Sequence, residues 1–481
     1  MAGSGRARRR ALMCAGGAAL AVLAGCGSGK RPPDTEHFQS HPDLAPPVVT
    51  VTKSTSAAAP GFIFIAPKQD AFEKGPEIVD DTGQPVWFGP VAGQATDFRV
   101  QSYRGHPVLT WWQGPPKAPV LGSGAGHGVI VDTSYKTIAH VDAGFGPDTA
   151  DLHEFQLTPR GTALLTAFRI VPADLSAVDG VVQEVDVASG RVLFTWHSIG
   201  HVAFGESYTP VPSGKSAQSP YDYFHVNSVD EEPDGDLLVS ARNTHAVYEI
   251  SRKTGAVLWR LGGKRSTFRL GPGVAFAWQH DARRQADGTI TVFDDGASPA
   301  VEKESRALRI RLDLKSNTAT LVRANADGTL TASQGNVQLL PNGDTFVGWG
   351  AVPRLTEFSP SGAVVFDATF SKGDDSYRAY RFPWSATPTT RPTIAATKGH
   401  GSTATVYASW NGATAVARWR VLAGVNGEHL APVGAATPKR GFETTLTPHT
   451  DAPYLAVEAL DENGKVLGTS AAVARGGNAI G

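Results

Sequence analysis

Residues 223–263 read YFHVNSVDEEPDGDLLVSARNTHAVYEISRKTGAVLWRLGG, and this stretch decides the fold. Two runs rich in apolar and β-branched residues flank Asp234-Gly235, a dipeptide suited to the tight turn of a β-hairpin. A second turn at Thr254-Gly255 leads into another strand-like run, AVLWRL. The same pattern recurs along the chain. Asp97 stands seven residues ahead of Arg104-Gly105, His153 seven ahead of Arg160-Gly161, and Asn227 seven ahead of Asp234-Gly235. His280 stands seven ahead of Asp287-Gly288, and Asn336 six ahead of Asn342-Gly343. The outer turn and strand return in DTGQPVWF (81–88), VASGRVLFTW (187–196) and SPSGAVVFDA (359–368), and more loosely in TSYKTIAHV (133–141) and DLKSNTATLV (313–322). A unit of four short strands and roughly fifty-five residues, repeated six times, predicts an all-β fold with a six-bladed β-propeller.

The propeller is expected over residues 51–387. A linker by composition, TPTTRPTIAATKGHG (388–402), separates it from residues 403–481, where period-two alternation and turns such as Asn411-Gly412 predict a small β-sandwich of the fibronectin III type. At the other end, Arg6, Arg8, Arg9 and Arg10 precede an apolar run too short to span a bilayer, as in an export signal over residues 1–25. It closes on Leu23-Ala24-Gly25-Cys26, which resembles a bacterial lipobox and implies a lipid on Cys26, with residues 26–50 as a flexible tether. Localisation outside the cytoplasm, anchored to the membrane by that lipid, is the expectation.

Removing the signal takes the formal charge from −1 to −5, so no basic surplus points to nucleic acid. The two cysteines, Cys14 and Cys26, lie in or at the end of the signal, which leaves the expected domains without disulfide or thiol chemistry.

In a propeller the innermost strands line an axial channel, and residues equally far from a hairpin turn finish at the same rim. Asp97, His153, Asn227, His280 and Asn336 are therefore expected at one mouth, with Arg242 beside His225 and Asp295 beside His280. Period two puts His225 on the face of Asn227. Phe224, Phe276 and Trp278 are expected to wall a pocket, and Trp349 either the pocket or the core, while Asp230-Glu231-Glu232 reads as a solvated acidic edge at the opposite rim. Three imidazoles and a guanidinium, with no carboxylate cluster in the pattern, favour an anion over a metal cation, because arginine keeps its charge. No Walker loop or Mg-binding set is visible, so histidine is the available nucleophile for phosphoryl or sulfuryl transfer. A propeller that binds without catalysis, tethered to the envelope, is the alternative.

DLHEFQLTPRGTALLTAF, His-x-Asn-Ser at 225–228, Ser-Ala-Arg at 240–242 and Gln-His at 279–280 together resemble the arylsulfate sulfotransferases, across most of residues 60–385. The resemblance implies transfer of a sulfuryl group from a phenolic sulfate donor to a phenolic acceptor by a ping-pong route, without cofactor or metal. It also implies His280 as the nucleophile, His225 and Arg242 on the sulfuryl oxygens, and His153 as the fourth catalytic position. Asn227 and Asn336 are expected as pocket donors to substrate. Asp281, directly after the nucleophile, is expected to orient the imidazole or alter its basicity. Better-known members carry a sandwich before the propeller, whereas here it follows.

Overall fold

A computed structural model describes residues 34–120, 122–172, 176–213, 218–399 and 402–479; the expected signal and Cys26 lie outside the described residues. The chain is all-β, with helical structure limited to two short 3-10 turns among those residues. Six sheets, each built on four antiparallel strands, follow one another. The second is Gln94–Tyr103, His106–Gly114, His127–Val131 and Thr137–Val141; the third is Phe155–Leu157, Thr162–Val171, Ala177–Asp186 and Val192–His197. The fourth is Val226–Glu231, Leu237–Ala241, Ala246–Ile250 and Val257–Gly262, the stretch quoted above. The fifth runs from His280–Arg284 through Ile290–Asp294 and Arg306–Asp313 to Thr318–Asn325, with Arg269–Leu270 added in parallel outside.

The first and sixth sheets are sewn together from distant parts of the chain. Phe62–Ile65, Glu77–Val79 and Pro85–Phe88 receive their innermost strand from Tyr380–Phe382, while Asn336–Leu339, Thr345–Gly348, Arg354–Phe358 and Val364–Thr369 receive an added outermost strand from Thr50–Ser54. Each sheet contacts the next, and the sixth contacts the first through Thr345–Gly348 against Tyr380–Phe382.

Local chemistry explains the repeats. Gly235 turns with φ 91°, a conformation that side chains resist. In the outer turns an aspartate folds the chain back. Asp80 Oδ1 accepts from Thr82 N at 2.8 Å and Thr82 Oγ1 at 2.6 Å, and Asp132 repeats this with Ser134 N at 2.8 Å and Oγ at 2.6 Å. One sheet cannot bury both of its faces, so the apolar side chains pack between neighbouring sheets. Trp112 and Phe155 pack between the second and third, Phe224 and Tyr248 between the third and fourth, and Phe293 with Trp349 between the fifth and sixth.

Four expectations change. Phe224 and Phe276 are core rather than pocket wall, and Trp349 takes the core place of its two expected ones, donating from Nε1 to Thr356 Oγ1 at 2.9 Å. The acidic edge is paired: Glu231 meets Arg160 at 2.6 Å and Arg252 at 3.1 Å, and Glu232 meets Arg284 at 2.7 Å. Of the expected tether, residues 34–49 dock instead. Phe38 packs on Phe442 with ring centroids 4.3 Å apart, and Ala45 N donates to Glu73 Oε2 at 2.7 Å. Two further sheets hold the C-terminal region around Trp419 and Val457, and one of their strands, Thr393–Lys398, uses residues that read as linker. Asn411 fixes this region to the first sheet, accepting from Phe88 N at 3.0 Å and donating to Phe88 O at 2.9 Å.

Charges fill the axis where the innermost strands meet. Arg378 is 1 % exposed and meets Asp97 at 2.7 Å, Glu154 at 3.2 Å and Asp281 at 3.2 Å. Arg283 meets Glu154 at 2.5 Å and Asp281 at 2.8 Å, and Arg99 meets Glu154 at 2.6 Å. Three guanidinium groups hold the Glu154 carboxyl well below the usual range, although burial pushes it up. Removing one partner from such a lattice strands a buried charge. Arg378→Met is expected to lower unfolding free energy by about 3–5 kcal/mol in a denaturant titration, while the exposed Arg265→Met changes it by less than about 0.5 kcal/mol.

Candidate functional site

A cavity of about 860 Å³ opens above this lattice, and His153, His225, Arg242 and His280 all line it. The fourth sheet positions two of them. Val226 pairs with Ala241 across the Asp234-Gly235 turn, and Arg242 N donates to His225 O at 2.9 Å, which brings the guanidinium to the imidazole's rim. The fifth sheet repeats the geometry, with His280 opposite Phe293 and its Nδ1 2.8 Å from Asp295 Oδ2. His153 comes from the loop before Phe155–Leu157 and meets His225 edge to face, with centroids 4.9 Å apart and planes at 86°.

Each histidine carries an aspartate on Nδ1: Asp151 for His153, Asp222 for His225 and Asp295 for His280. The sequence pattern anticipated only Asp295, so the expectation of no surrounding carboxylates is corrected. These carboxylates bind the rear nitrogens and orient the rings. For His280 the proton's place follows from its other neighbour. Gln334 N–H, a pure donor, points at Nε2 from 3.4 Å, so Nε2 is the acceptor and Nδ1–H donates to Asp295. Burial holds His280 well below the ordinary imidazole value, and Arg242 and the other two imidazoles push the same way. His153 is lowered by burial too, against the pull of Asp151. Burial raises Asp295, and Arg242 opposes that rise. The site thus contains a buried neutral imidazole on the wall of a cavity, its Nε2 lone pair held by one long N–H contact from Gln334, beside a fixed cation.

Arg242 is fixed by its surroundings. Its guanidinium lies 4.8 Å over the Trp278 ring, donates to Asn243 Oδ1 at 3.1 Å, and reaches Ser298 O and Ala332 O at 3.4 Å. Behind Trp278 stands His245, pushed down to about 4 by burial with Arg242 and Lys264 adding to the shift. Its other face stacks on Tyr208 at 3.9 Å and 3°. Trp278 therefore seats the guanidinium rather than walling an apolar pocket.

Asn227 and Asn336 do not line the cavity. Asn227 Nδ2 donates to Gln279 O at 2.7 Å, and Asn336 exchanges bonds with Ala379, 2.8 Å to its O and 2.9 Å from its N. A register shift between Val226 and Ser228, together with φ 56° at His225, breaks the alternation that put Asn227 on the same face. Both asparagines strap one sheet to the next. Asp281 is also displaced, since a shift between His280 and Arg283 turns it onto Arg283 and Arg378, and Asp295 takes the orienting position. Tyr377, which the sequence pattern missed, forms part of the floor: its ring lies 5.5 Å from His153 and 6.2 Å from His280, and its hydroxyl donates to Asn227 O at 3.2 Å. It precedes the strand that closes the first sheet from afar, so no local turn flags it.

The neutral Nδ1–H form of His280 is expected to persist well below pH 6.5, since a lowered value moves protonation to more acid pH. An ¹⁵N titration of the imidazoles checks this. Protonation of His280 at or above that pH contradicts the assignment.

Residues 99–371, more than half of the chain, match the family model described as Arylsulfotransferase (ASST). No curated protein matches the sequence. Solved structures similar to it include a protein of unknown function from Bacteroides caccae, 13 % identical with TM-score 0.41, covering 66 % of this chain and 98 % of that one. A Lactobacillus plantarum protein is 13 % identical with TM-score 0.37, covering 80 % and 99 %. A catalytically inactive variant of virginiamycin B lyase from Staphylococcus aureus is 10 % identical with TM-score 0.31, covering 77 % and 94 %. The family span contains the three cavity histidines and Arg242, and the chain belongs to the arylsulfotransferase family.

Proposed function

We propose that this protein moves a sulfuryl group from a phenolic sulfate ester to a phenolic acceptor through a covalent intermediate on His280, without cofactor or metal. The observation that carries the reading is the imidazole of His280, neutral by burial, with Nδ1–H on Asp295 and an unprotonated Nε2 that accepts one long contact from Gln334 N–H, on the wall of a cavity that Arg242 also lines. The Nε2 pair leaves its long contact with Gln334 N–H and attacks sulfur, and the sulfur–oxygen bond to the aryl group breaks with its electrons passing to the phenol oxygen. His225, its Nδ1 held by Asp222 and its Nε2 carrying a proton at the start of the cycle, gives that Nε2 proton to the phenol oxygen and recovers one at Nε2 from the acceptor hydroxyl. The acceptor oxygen then attacks sulfur, and the nitrogen–sulfur pair returns to Nε2. Arg242 faces the charge that develops on the sulfuryl oxygens, while His153 abuts His225 and fixes its ring.

The six sheets are, in this reading, the blades of a six-bladed β-propeller that spans about residues 51–387, supported by the cyclic order of contacts between neighbouring sheets. The two C-terminal sheets form a β-sandwich that serves as a docked second domain, and a lipid on Cys26 holds the protein at the outer face of a cell membrane.

Steady-state kinetics with 4-nitrophenyl sulfate and phenol test the proposal. Parallel double-reciprocal plots are expected, with His280→Asn lowering kcat by about 10⁴-fold or more and Arg242→Ala lowering kcat/KM by about 10²–10³-fold. Intersecting plots, or a His280→Asn variant that turns over like the wild type, overturn it.

A further inference from the structure

Two lysines line the cavity, both from the connection between Phe62–Ile65 and Glu77–Val79: Lys68 and Lys74. Lys68 is only 6 % exposed, and its Nζ donates to Asp375 Oδ1 at 2.6 Å. Its backbone is pinned as well, with N donating to Asp374 Oδ1 at 3.1 Å and to Asp375 O at 3.2 Å. Asp375 Oδ2 accepts from Gln334 Nε2 at 2.8 Å, and Gln334 is the residue whose N–H faces His280 Nε2. Lys68 is thus connected to the reactive imidazole by a short chain of hydrogen bonds. Lys74 is half-buried and pairs with no carboxylate among the described residues.

The charges on this wall do not balance. The carboxylates that line the cavity are Asp222, held by His225, and Asp375, shared by Lys68 and Gln334. One ammonium therefore remains in excess, and Arg242 is an additional cation committed to the reacting group. A surplus cation on the wall of a cleft draws anions. Size points the same way. A cavity of about 150 Å³ already holds benzene, so one of about 860 Å³ takes a scaffold well beyond a single ring with its sulfuryl group.

Resting on the reading of His280 as the sulfuryl carrier, we propose that Lys68 and Lys74 form an anion subsite that selects phenols bearing a carboxylate remote from the hydroxyl. The carboxylate docks on the two ammonium groups through charge-assisted hydrogen bonds, and the hydroxyl is thereby presented to His280.

The test compares 3-(4-hydroxyphenyl)propanoate with its primary amide as acceptors from 4-nitrophenyl sulfate, at low and high salt. The wild type is expected to favour the acid by about tenfold or more in kcat/KM at low salt, and the preference is expected to shrink as salt screens the subsite. Lys74→Met, which breaks no ion pair, is expected to reduce the acid-to-amide ratio severalfold. Lys68→Met, which leaves Asp375 unopposed, is expected to reduce it further. Equal use of acid and amide by a wild type that transfers well overturns the subsite and leaves the sulfuryl chemistry standing. No transfer to acid, amide or unsubstituted phenol overturns both readings.

Discussion

The placement of one proton on His280 is the constraint on which the site depends. An imidazole is a nucleophile only at a nitrogen that carries no hydrogen, and water leaves the choice between the two nitrogens open. Here Asp295 takes the Nδ1–H and Gln334 N–H faces Nε2. Burial and Arg242 keep a second proton away. Each element of the site serves that arrangement. The fifth sheet's first hairpin pairs His280 with Phe293 and so brings Asp295, two residues on, to Nδ1, and the loop before the sixth sheet delivers Gln334 with φ 72°.

Beneath it, the charge lattice of Arg378, Arg283, Arg99, Asp97, Glu154 and Asp281 provides a rigid floor. Its members come from on or beside the inner strands of several sheets and from the segment that closes the first, so the floor of the site is built from distant parts of the chain. The lattice also has an electrostatic effect above: Arg378 is among the groups that lower both His280 and His153. Tyr377, directly before Arg378, turns its ring to the histidines and its hydroxyl to the strand below, and so separates the cavity from the lattice.

Much of this was legible in the chain. The X-Gly turns set the inner hairpins, and counting outward from Asp234-Gly235 and Asp287-Gly288 placed Arg242 beside His225 and Asp295 beside His280. What escaped has local causes. Register shifts and positive φ angles at Asp97, His225 and Asp281 break strict alternation, so Asn227 and Asp281 turned away from the cavity. Asp151 and Asp222 lie outside the inner strands, where periodicity carries no information about direction. Lys68, Asp375 and Tyr377 flank Phe62–Ile65 and Tyr380–Phe382, which pair across most of the chain, a long-range pairing that no local spacing encodes, and Gln334 lies in the loop before the sixth sheet, outside any strand alternation.

Peptide mass mapping after incubation with 4-nitrophenyl sulfate, with acceptor withheld and the reaction quenched in base, tests the account most directly. A single sulfuryl group on the peptide that contains His280, absent from His280→Asn, is the result the account predicts. Efficient transfer to added phenol with the sulfuryl group found on another residue, or on none, would contradict it.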